Sequence, residues 1–341
     1  MLKKVKLDQA IGLTIGHDMT RVVPGQFKGP AFRRGHVVTE ADLPQLRQMG
    51  KEHIYVIEEE EGLIHEEEAA LRIATAVAGD NLKLTRPKEG RVNMVATVHG
   101  LLKIKQTLLK EINSLGDIVL ATQHSYAVCQ PDVTMAATKI TPLLIAETKL
   151  EKVEELCRQK GKVVQIIPFT RKKVGIIITG NEVYNGLVED KFGDTLRKKV
   201  EALGSVVEQQ TVVPDDEDVI GRAVKDMANQ GVEIILIAGG LSVDPDDVTV
   251  EGVAKSGATI ISYGAPVMPG AMFLYAELNS IPILGAPGAV IFNQATIIDL
   301  MLPRALAGDK ITREDIVELG HGGLCLNCAD GCTFPVCPFG K

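Results

Sequence analysis

The sequence predicts an α/β protein: a three-layer domain built on a mostly parallel sheet and preceded by smaller α/β units. Three observations point there. Apolar strand-like runs alternate with amphipathic helical patterns from Val174 to about Leu306, an order that places helices on both faces of a parallel sheet. Three of those runs end in glycine-bearing loops, the positions at which such sheets hold ligands. The chain has 341 residues, 45% hydrophobic and 24% charged, which is ordinary for a globular protein and enough for two or three cores.

Residues 1–60 read as a short α/β segment. Thr39 with Asp42 three residues on has the form of a capping box, EADLPQLRQMG is an amphipathic stretch closed by Gly50, and HIYVI (53–57) reads as a strand. The acidic run from Glu58 to Gly62 reads as a solvated connector. Residues 65–170 read as a middle α/β domain with a helix over 66–77, turns at 79–81 and 87–90, a strand over 92–98, a helix near 101–112, and strands near 118–121 and 163–167. The pattern gives that domain no topology. The domain over 174–310 is plainer. Its strands are predicted at 174–179, 205–213, 233–238, 258–262, 272–278 and 281–286, and its helices at 194–203, 216–229, 248–255 and 290–302. Residues 311–341 form a cysteine-rich tail.

The formal net charge of −7 argues against general binding to nucleic acid or to an anionic membrane, both of which need a cationic surface. An anionic ligand would have to be held locally, by backbone amides or a bound cation. The N-terminal MLKKVKLDQAIG lacks the apolar core and cleavage site of a signal peptide, and no apolar run approaches the ~20 residues of a membrane span. The expected location is cytoplasmic, which argues against stable disulfides.

The strand-end loops carry the chemistry. TGNEV (179–183) precedes GDT (193–195) at a helix start, AGGLSVDPDD spans 238–247, and GAPG (285–288) opens another helix. Glycines let backbone approach a ligand, and amides at a helix start offer donors to an anion such as phosphate. Asp244, Asp246 and Asp247, with Asp215 and Asp216 after another strand, can hold Mg²⁺ through a few carboxylates plus phosphate oxygens. The plainer alternative is that Asp246 and Asp247 cap the following helix and Pro245 starts its turn.

These residues resemble a known family. TGNEV, GDT, GGLSVDPDDVT, PVMPG (266–270) and GAPG, in that order over about 174–310, are similar to the molybdopterin-binding domain of molybdopterin adenylyltransferases, molybdopterin molybdotransferases and CinA-like proteins. The resemblance implies that Thr179, Gly180, Asn181, Glu182, Asp194, Gly239, Gly240, Leu241, Ser242, Pro269, Gly270, Pro287 and Gly288 line a molybdopterin pocket. It also implies that Asp215, Asp246 and Asp247 do metal or catalytic work.

The expected function is molybdenum-cofactor biosynthesis, with molybdopterin or its adenylate as small-molecule substrate and Mg²⁺ as helper in a molybdopterin molybdotransferase reaction. The alternatives are a non-catalytic cofactor carrier or sensor serving a molybdoenzyme, and a CinA-like hydrolase of a pyrophosphate-linked nucleotide. Homo-oligomers are common in the family. GHVVTEADLPQLRQMGKEHIYVI (35–57) is similar to the segment before the pterin domain in molybdotransferases. Two departures stand out. Met268 and Ala271 replace the lysines of a KPGKP-type segment, and no SAMDGYA-type segment occurs around Pro24 to Gly35, where Lys28, Arg33 and Arg34 are the nearby cations.

The tail reads CLNCADGCTFPVC, with Cys325, Cys328, Cys332 and Cys337 followed by Pro338. Four thiols so spaced can converge on one centre, an iron–sulfur cluster or Zn²⁺, and the close spacing with Pro after the last cysteine leans toward iron–sulfur. Reactive thiols or a partner-docking tail are the alternatives. His321 and the scattered histidines lack ligand spacing and read as surface or core residues. His124, Ser125 and Cys129 lie close in sequence without an orienting third group.

Overall fold

The computed structural model describes residues 2–23, 27–57 and 62–341; the acidic connector over 58–61 lies outside them. The chain divides into two compact units, one of residues 1–97, 104–123 and 131–165, the other of 98–103, 124–130 and 166–341. Among the described residues no helix is long and apolar enough to cross a membrane.

In the first unit, strand Leu2–Lys6 pairs antiparallel with His53–Ile57 over a core that includes Ile15, Leu46, Ile54 and Val56. The Thr39–Asp42 capping box forms as the sequence suggests. An antiparallel four-stranded sheet runs in the order Leu82–Leu84, Val92–Ala96, Thr134–Ile140, Ile118–Thr122. Helix Glu66–Val77 lies where the periodicity puts it.

Two local readings are corrected. The helix expected near 101–112 is a strand over Gly100–Ile104 followed by a helix over Gln106–Asn113. The β-branched and apolar run LLKI is buried at alternate and adjacent positions as a strand, which outweighs its helical spacing. A helix over Glu147–Lys160 was not anticipated, although Leu150, Val153, Leu156 and Cys157 form its buried stripe at helical spacing.

The second unit holds a six-stranded sheet: β1 (Lys173–Thr179), β2 (Val206–Val213), β3 (Ile234–Ala238), β4 (Thr259–Tyr263), β5 (Leu274–Leu278) and β6 (Ile281–Ala286), in the order β2-β1-β3-β6-β5-β4. β2, β1, β3 and β6 are parallel, whereas β5 and β4 turn antiparallel at the edge. The helices are α1 (Asn181–Tyr184), α2 (Phe192–Ala202), α3 (Glu217–Asn229), α4 (Thr249–Lys255), α5 (Ile297–Leu306) and α6 (Arg313–Glu318).

Alternation within strands builds both faces. Val174, Ile176 and Ile178 of β1 pack with Leu196 of α2 and Ile298 and Met301 of α5, while Ile177 points to the other face with Ile220 and Val224 of α3 and Val253 of α4. The three-layer expectation therefore holds. Strand order reverses between β1, which leads out to β2, and β3 on its other side; this is the switch point at which open α/β sheets leave a crevice.

A buried ionic cluster ties α5 to its neighbours. Arg304, 4% exposed, donates to Asp309 at 2.8 Å and lies 3.0 Å from Asp315, and its guanidinium sits 4.0 Å above the Tyr126 ring. Lys103 also reaches Asp309. Burial alone would raise the Asp315 carboxyl, but hydrogen bonds from Thr312 and the Arg304 charge hold it below the ordinary 3.8. Such a depressed carboxyl contributes stability above its unfolded pKa and loses it as pH falls through the folded value. We predict that Arg304→Met costs roughly 3 kcal/mol, because it leaves Asp309 buried with one cation fewer. Denaturation curves taken downward from neutral pH should show wild-type stability falling below about pH 4, a component that Asp315→Asn removes.

Candidate functional site

Because β1, β3 and β6 run parallel, their carboxyl ends reach the same edge of the sheet, and antiparallel β5 begins there. The loops at that edge enclose a cavity of about 300 Å³. Gly239, Gly240, Leu241, Ser242 and Asp247 come from the loop after β3; Gly270, Ala271 and Met272 from the loop before β5; Ala286, Pro287, Gly288 and Ala289 from the end of β6. The lining holds one charged side chain, Asp247, and neither lysine nor arginine.

The loop after β3 is shaped by its glycines. A Cβ on Gly239 (φ 98°) would collide with the Thr179 carbonyl at the end of β1, and one on Gly240 (φ 55°) would press on Thr249 Oγ1 at 2.5 Å. Thr249, which sequence reasoning did not single out, closes this contact. Its hydroxyl donates to the Gly239 carbonyl at 2.9 Å and lies 2.9 Å from Thr179 Oγ1. A hydroxyl carries one proton, so Thr179 is then the donor in the second bond. Thr179 is thus a buried strut and not part of the cavity wall.

Tyr263 is a second residue the sequence did not flag. Its hydroxyl donates to the Leu241 carbonyl at 2.7 Å and reaches that of Ser242 at 3.3 Å. In a planar trans peptide the next amide points opposite its carbonyl, so the N–H of Ser242 is turned away from the tyrosine. Burial, with the Asp247 and Glu251 charges, raises the phenol's pKa and keeps it a donor.

The acidic residues take distinct places. Asp247 accepts the Asp244 amide at 3.1 Å and lines the cavity, and Asp246 is exposed beside it. Neither caps α4, whose N-cap is Val248 without a side-chain bond, so helix capping does not explain the DPDD run. Asp216 does cap α3, accepting from Asp218 and Val219.

Asp215 accepts the Asn181 amide through Oδ2 at 2.8 Å, while the Asn181 side chain accepts the Asp215 amide at 3.3 Å. Its Oδ1 is buried with no hydrogen-bond partner and faces the Gly240 position. Burial raises the Asp215 pKa; the Asn181 bond opposes this, and the Glu182, Asp247 and Asp246 charges add to it.

The remaining candidates lie off the cavity wall. Gly180 and Glu182 fold on each other, with a Gly180 Cβ position only 3.0 Å from the Glu182 carboxylate. Asp194 is exposed on α2, and Pro269 precedes the cavity-lining Gly270. Met268, at a lysine position of the resembled motif, is exposed; Ala271, at the other, lines the cavity. Arg33 and Arg34 are exposed in the first unit, and the Lys28 side chain lies outside the described residues.

The tail cysteines border one space without forming a ready-made single-ion site. Cys325, Cys328, Cys332 and Cys337 line one further cavity of about 350 Å³, but among the described residues no three His, Cys, Asp or Glu side chains converge as ligands of a single ion. The same holds for Asp215, Asp246 and Asp247. Spacing fixes how far apart the thiols lie along the chain, whereas convergence also depends on where the loop is anchored. His321 is exposed and outside that cavity.

Residues 175–305 match the family model described as a probable molybdopterin binding domain. That segment belongs to the molybdopterin-binding domain family. Residues 4–58 match a model described as a domain of unknown function. The chain is 39% identical over 83 residues to a CinA-like protein of Mycobacterium tuberculosis (strain ATCC 25177 / H37Ra), a stretch covering 24% of this chain and 19% of that protein. It is 36% identical over 83 residues to a CinA-like protein of Mycobacterium avium (strain 104). The chain thus spans about a fifth of the length of these curated relatives.

Among solved structures it is similar to the protein CinA of Thermoplasma acidophilum, with 22% identity, a TM-score of 0.35, and coverage of 40% of this chain and 98% of that one. The molybdopterin biosynthesis enzyme MoaB of Thermus thermophilus gives 17% identity and a TM-score of 0.32 over 40% of this chain and 98% of that one.

Three substitutions test the loop geometry in this molybdopterin-binding-family domain. Thr249→Val should lower unfolding stability by about 1–3 kcal/mol by leaving the Gly239 carbonyl unpaired. Gly239→Ala should destabilise by at least about 2 kcal/mol. Gly288→Ala, where a Cβ meets nothing within 4 Å, should stay within about 0.5 kcal/mol of wild type. Chemical denaturation of the three variants checks all three statements.

Proposed function

We propose that the strand-end cavity binds molybdopterin or its adenylate by the phosphate, and that the chain acts in molybdenum-cofactor biosynthesis as a molybdopterin molybdotransferase. The observation that carries this reading is the meeting of three glycine-bearing loops in one cavity that has no lining lysine or arginine, beside a buried Asp215 oxygen without a partner. A phosphate there has main-chain donors available but no side-chain cation, so its charge calls for a metal ion.

Mg²⁺ suits the acidic residues as they stand. It is bound by one or two carboxylates plus phosphate oxygens and water, so it needs no ready-made cluster of three protein ligands. Asp215 and Asp247 would hold it, with Asp246 near enough to add its field. When bound, the ion neutralises charge developing on the phosphate oxygens as AMP leaves. The loops themselves orient the phosphate, and Tyr263 fixes the Leu241–Ser242 carbonyls so that the amides behind them keep their direction.

Two further readings each have a specific support. The local identity to CinA-like proteins favours hydrolysis of a pyrophosphate-linked nucleotide with the same loops and metal. Met268 and Ala271 in place of lysines favour a carrier that hands the finished cofactor to a molybdoenzyme.

One experiment separates the three. The pure chain is incubated with adenylated molybdopterin and Mg²⁺, with and without molybdate. AMP release that requires molybdate supports the transferase, release without molybdate supports the hydrolase, and tight binding without release supports the carrier. Asp215→Asn can still accept the Asn181 amide, so it should fold as wild type yet slow metal-dependent AMP release by about 100-fold. Because the Asp215 pKa is raised above 3.8, the wild-type rate should begin to fall on acidification at a pH above that value, as the carboxylate becomes protonated.

A further inference from the structure

The four cysteines of the tail sit in a loop that backbone hydrogen bonds close and apolar packing seats. At its base the Gly340 amide donates to the Gly322 carbonyl at 2.9 Å, joining the two ends. The Met268 amide donates to Gly323 and the Cys325 amide to Met268, both at 2.8 Å, so the first cysteine is clasped to the turn before β5. Phe339 is 2% exposed in the core beneath α5, with Phe334 edge-on to it at 6.1 Å. Cys325 and Cys337 pack partly buried against that core, and Cys328 and Cys332 are exposed.

Between Cys325 and Cys328, Asn327 takes a left-handed backbone conformation (φ 48°), which asparagine tolerates. All four cysteines line the same cavity of about 350 Å³, together with Phe334 and Phe339, and no Lys, Arg, His, Asp or Glu lines it.

The arrangement discriminates between ligand classes. Four thiolates on one Zn²⁺ lie ~2.3 Å from the ion and therefore within about 4 Å of one another, which leaves no space among them. Here no three of the thiols converge in that way, yet all four border one space of about 350 Å³, far more than the ~10–15 Å³ that admits a single water. That is room for a group of several atoms held at its corners.

We infer that Cys325, Cys328, Cys332 and Cys337 ligate a [4Fe–4S] cluster. Each cysteine gives one thiolate, releasing its proton to solvent as it binds iron, and the phenylalanines shelter the buried side of the cluster. Pro338 directly after the last ligand suits this use, since it removes an amide that would otherwise compete for a partner. The cluster would stand beside the strand-end cavity: the Met268 clasp leads into the cavity-lining Gly270–Met272, and Asn293–Ala295 of the cysteine cavity follow the cavity-lining Gly288–Ala289. This inference does not depend on which molecule the strand-end cavity binds.

The test uses the full chain, purified without oxygen, incubated with equal amounts of ferrous and ferric iron and with sulfide, and desalted. About four iron and four acid-labile sulfide per chain are expected, with a broad visible absorption that bleaches on adding dithionite. Cys328→Ser and Cys332→Ser replace exposed thiols, so they should keep the wild-type thermal midpoint while losing at least tenfold in retained iron. Cys157→Ser, in the other unit, should retain the full complement. The inference is overturned if wild type retains no more iron and sulfide than a chain with all four tail cysteines replaced by serine. Full retention by the two single variants, or a chain that takes one Zn²⁺ and forms no cluster with iron and sulfide, would overturn it equally.

Discussion

The second unit depends on a contact between two strand ends, where the Gly239 backbone lies against the Thr179 carbonyl and the Thr249 hydroxyl bridges them. Parallel pairing of β1 and β3 brings their carboxyl ends side by side but does not say how the chain leaves the sheet. Any side chain at Gly239 would push the exit away from Thr179. With glycine there, the chain turns tightly through φ values of 98° and 55°, and Leu241 and Ser242 come to face the Pro287–Gly288 turn across one cavity. The hydroxyl bridge pairs a carbonyl that would otherwise be buried alone, so the tight exit is also the stable one.

Electrostatics gives that cavity its character. Its wall holds a carboxylate and no cation, and a second carboxylate, Asp215, stands behind Gly240 with one oxygen unpaired. Burial and three neighbouring acids make Asp215 a reluctant anion. A site of this kind repels a bare phosphate and favours one that arrives with a divalent cation, because the cation satisfies carboxylate and phosphate oxygens together. In the proposed reading main-chain amides supply direction and a metal ion supplies charge, a charge that the lysines of the resembled motif would have supplied directly where this chain has Met268 and Ala271.

The tail is connected to this site through backbone. Cys325 is bonded to Met268, two residues before the cavity wall, and the segment after β6 contributes first to the strand-end cavity and then to the cysteine cavity. The two spaces are thus built on the same two loops. Phe339 in the core beneath α5 holds the far end, so the cysteine segment is a packed part of the second unit and not an appendage.

Much of this was legible in the sequence. The alternation from Val174 to Leu306 gave the three layers, and the glycines at 239, 240 and 288 marked strand ends that do share a cavity. Those signals survive in one dimension because they arise from local periodicity and from residues that only an unusual backbone requires. What escaped were partners distant in sequence. Thr249 and Tyr263 look ordinary until β1 and β4 bring Thr179 and the Leu241–Ser242 carbonyls to them. Asp246 and Asp247 resemble helix caps until the helix starts at Thr249 and leaves them outside it. The strand over Gly100–Ile104 and the helix over Glu147–Lys160 were settled by burial against elements that local pattern does not name. The sequence by itself determined the order of strands and helices, the special backbone positions and the supply of carboxylates and thiols. The tertiary structure alone decided which of them meet. Pairing parallel strands gathers loops separated by tens of residues onto one edge, and only there do distance and burial assign each side chain its work.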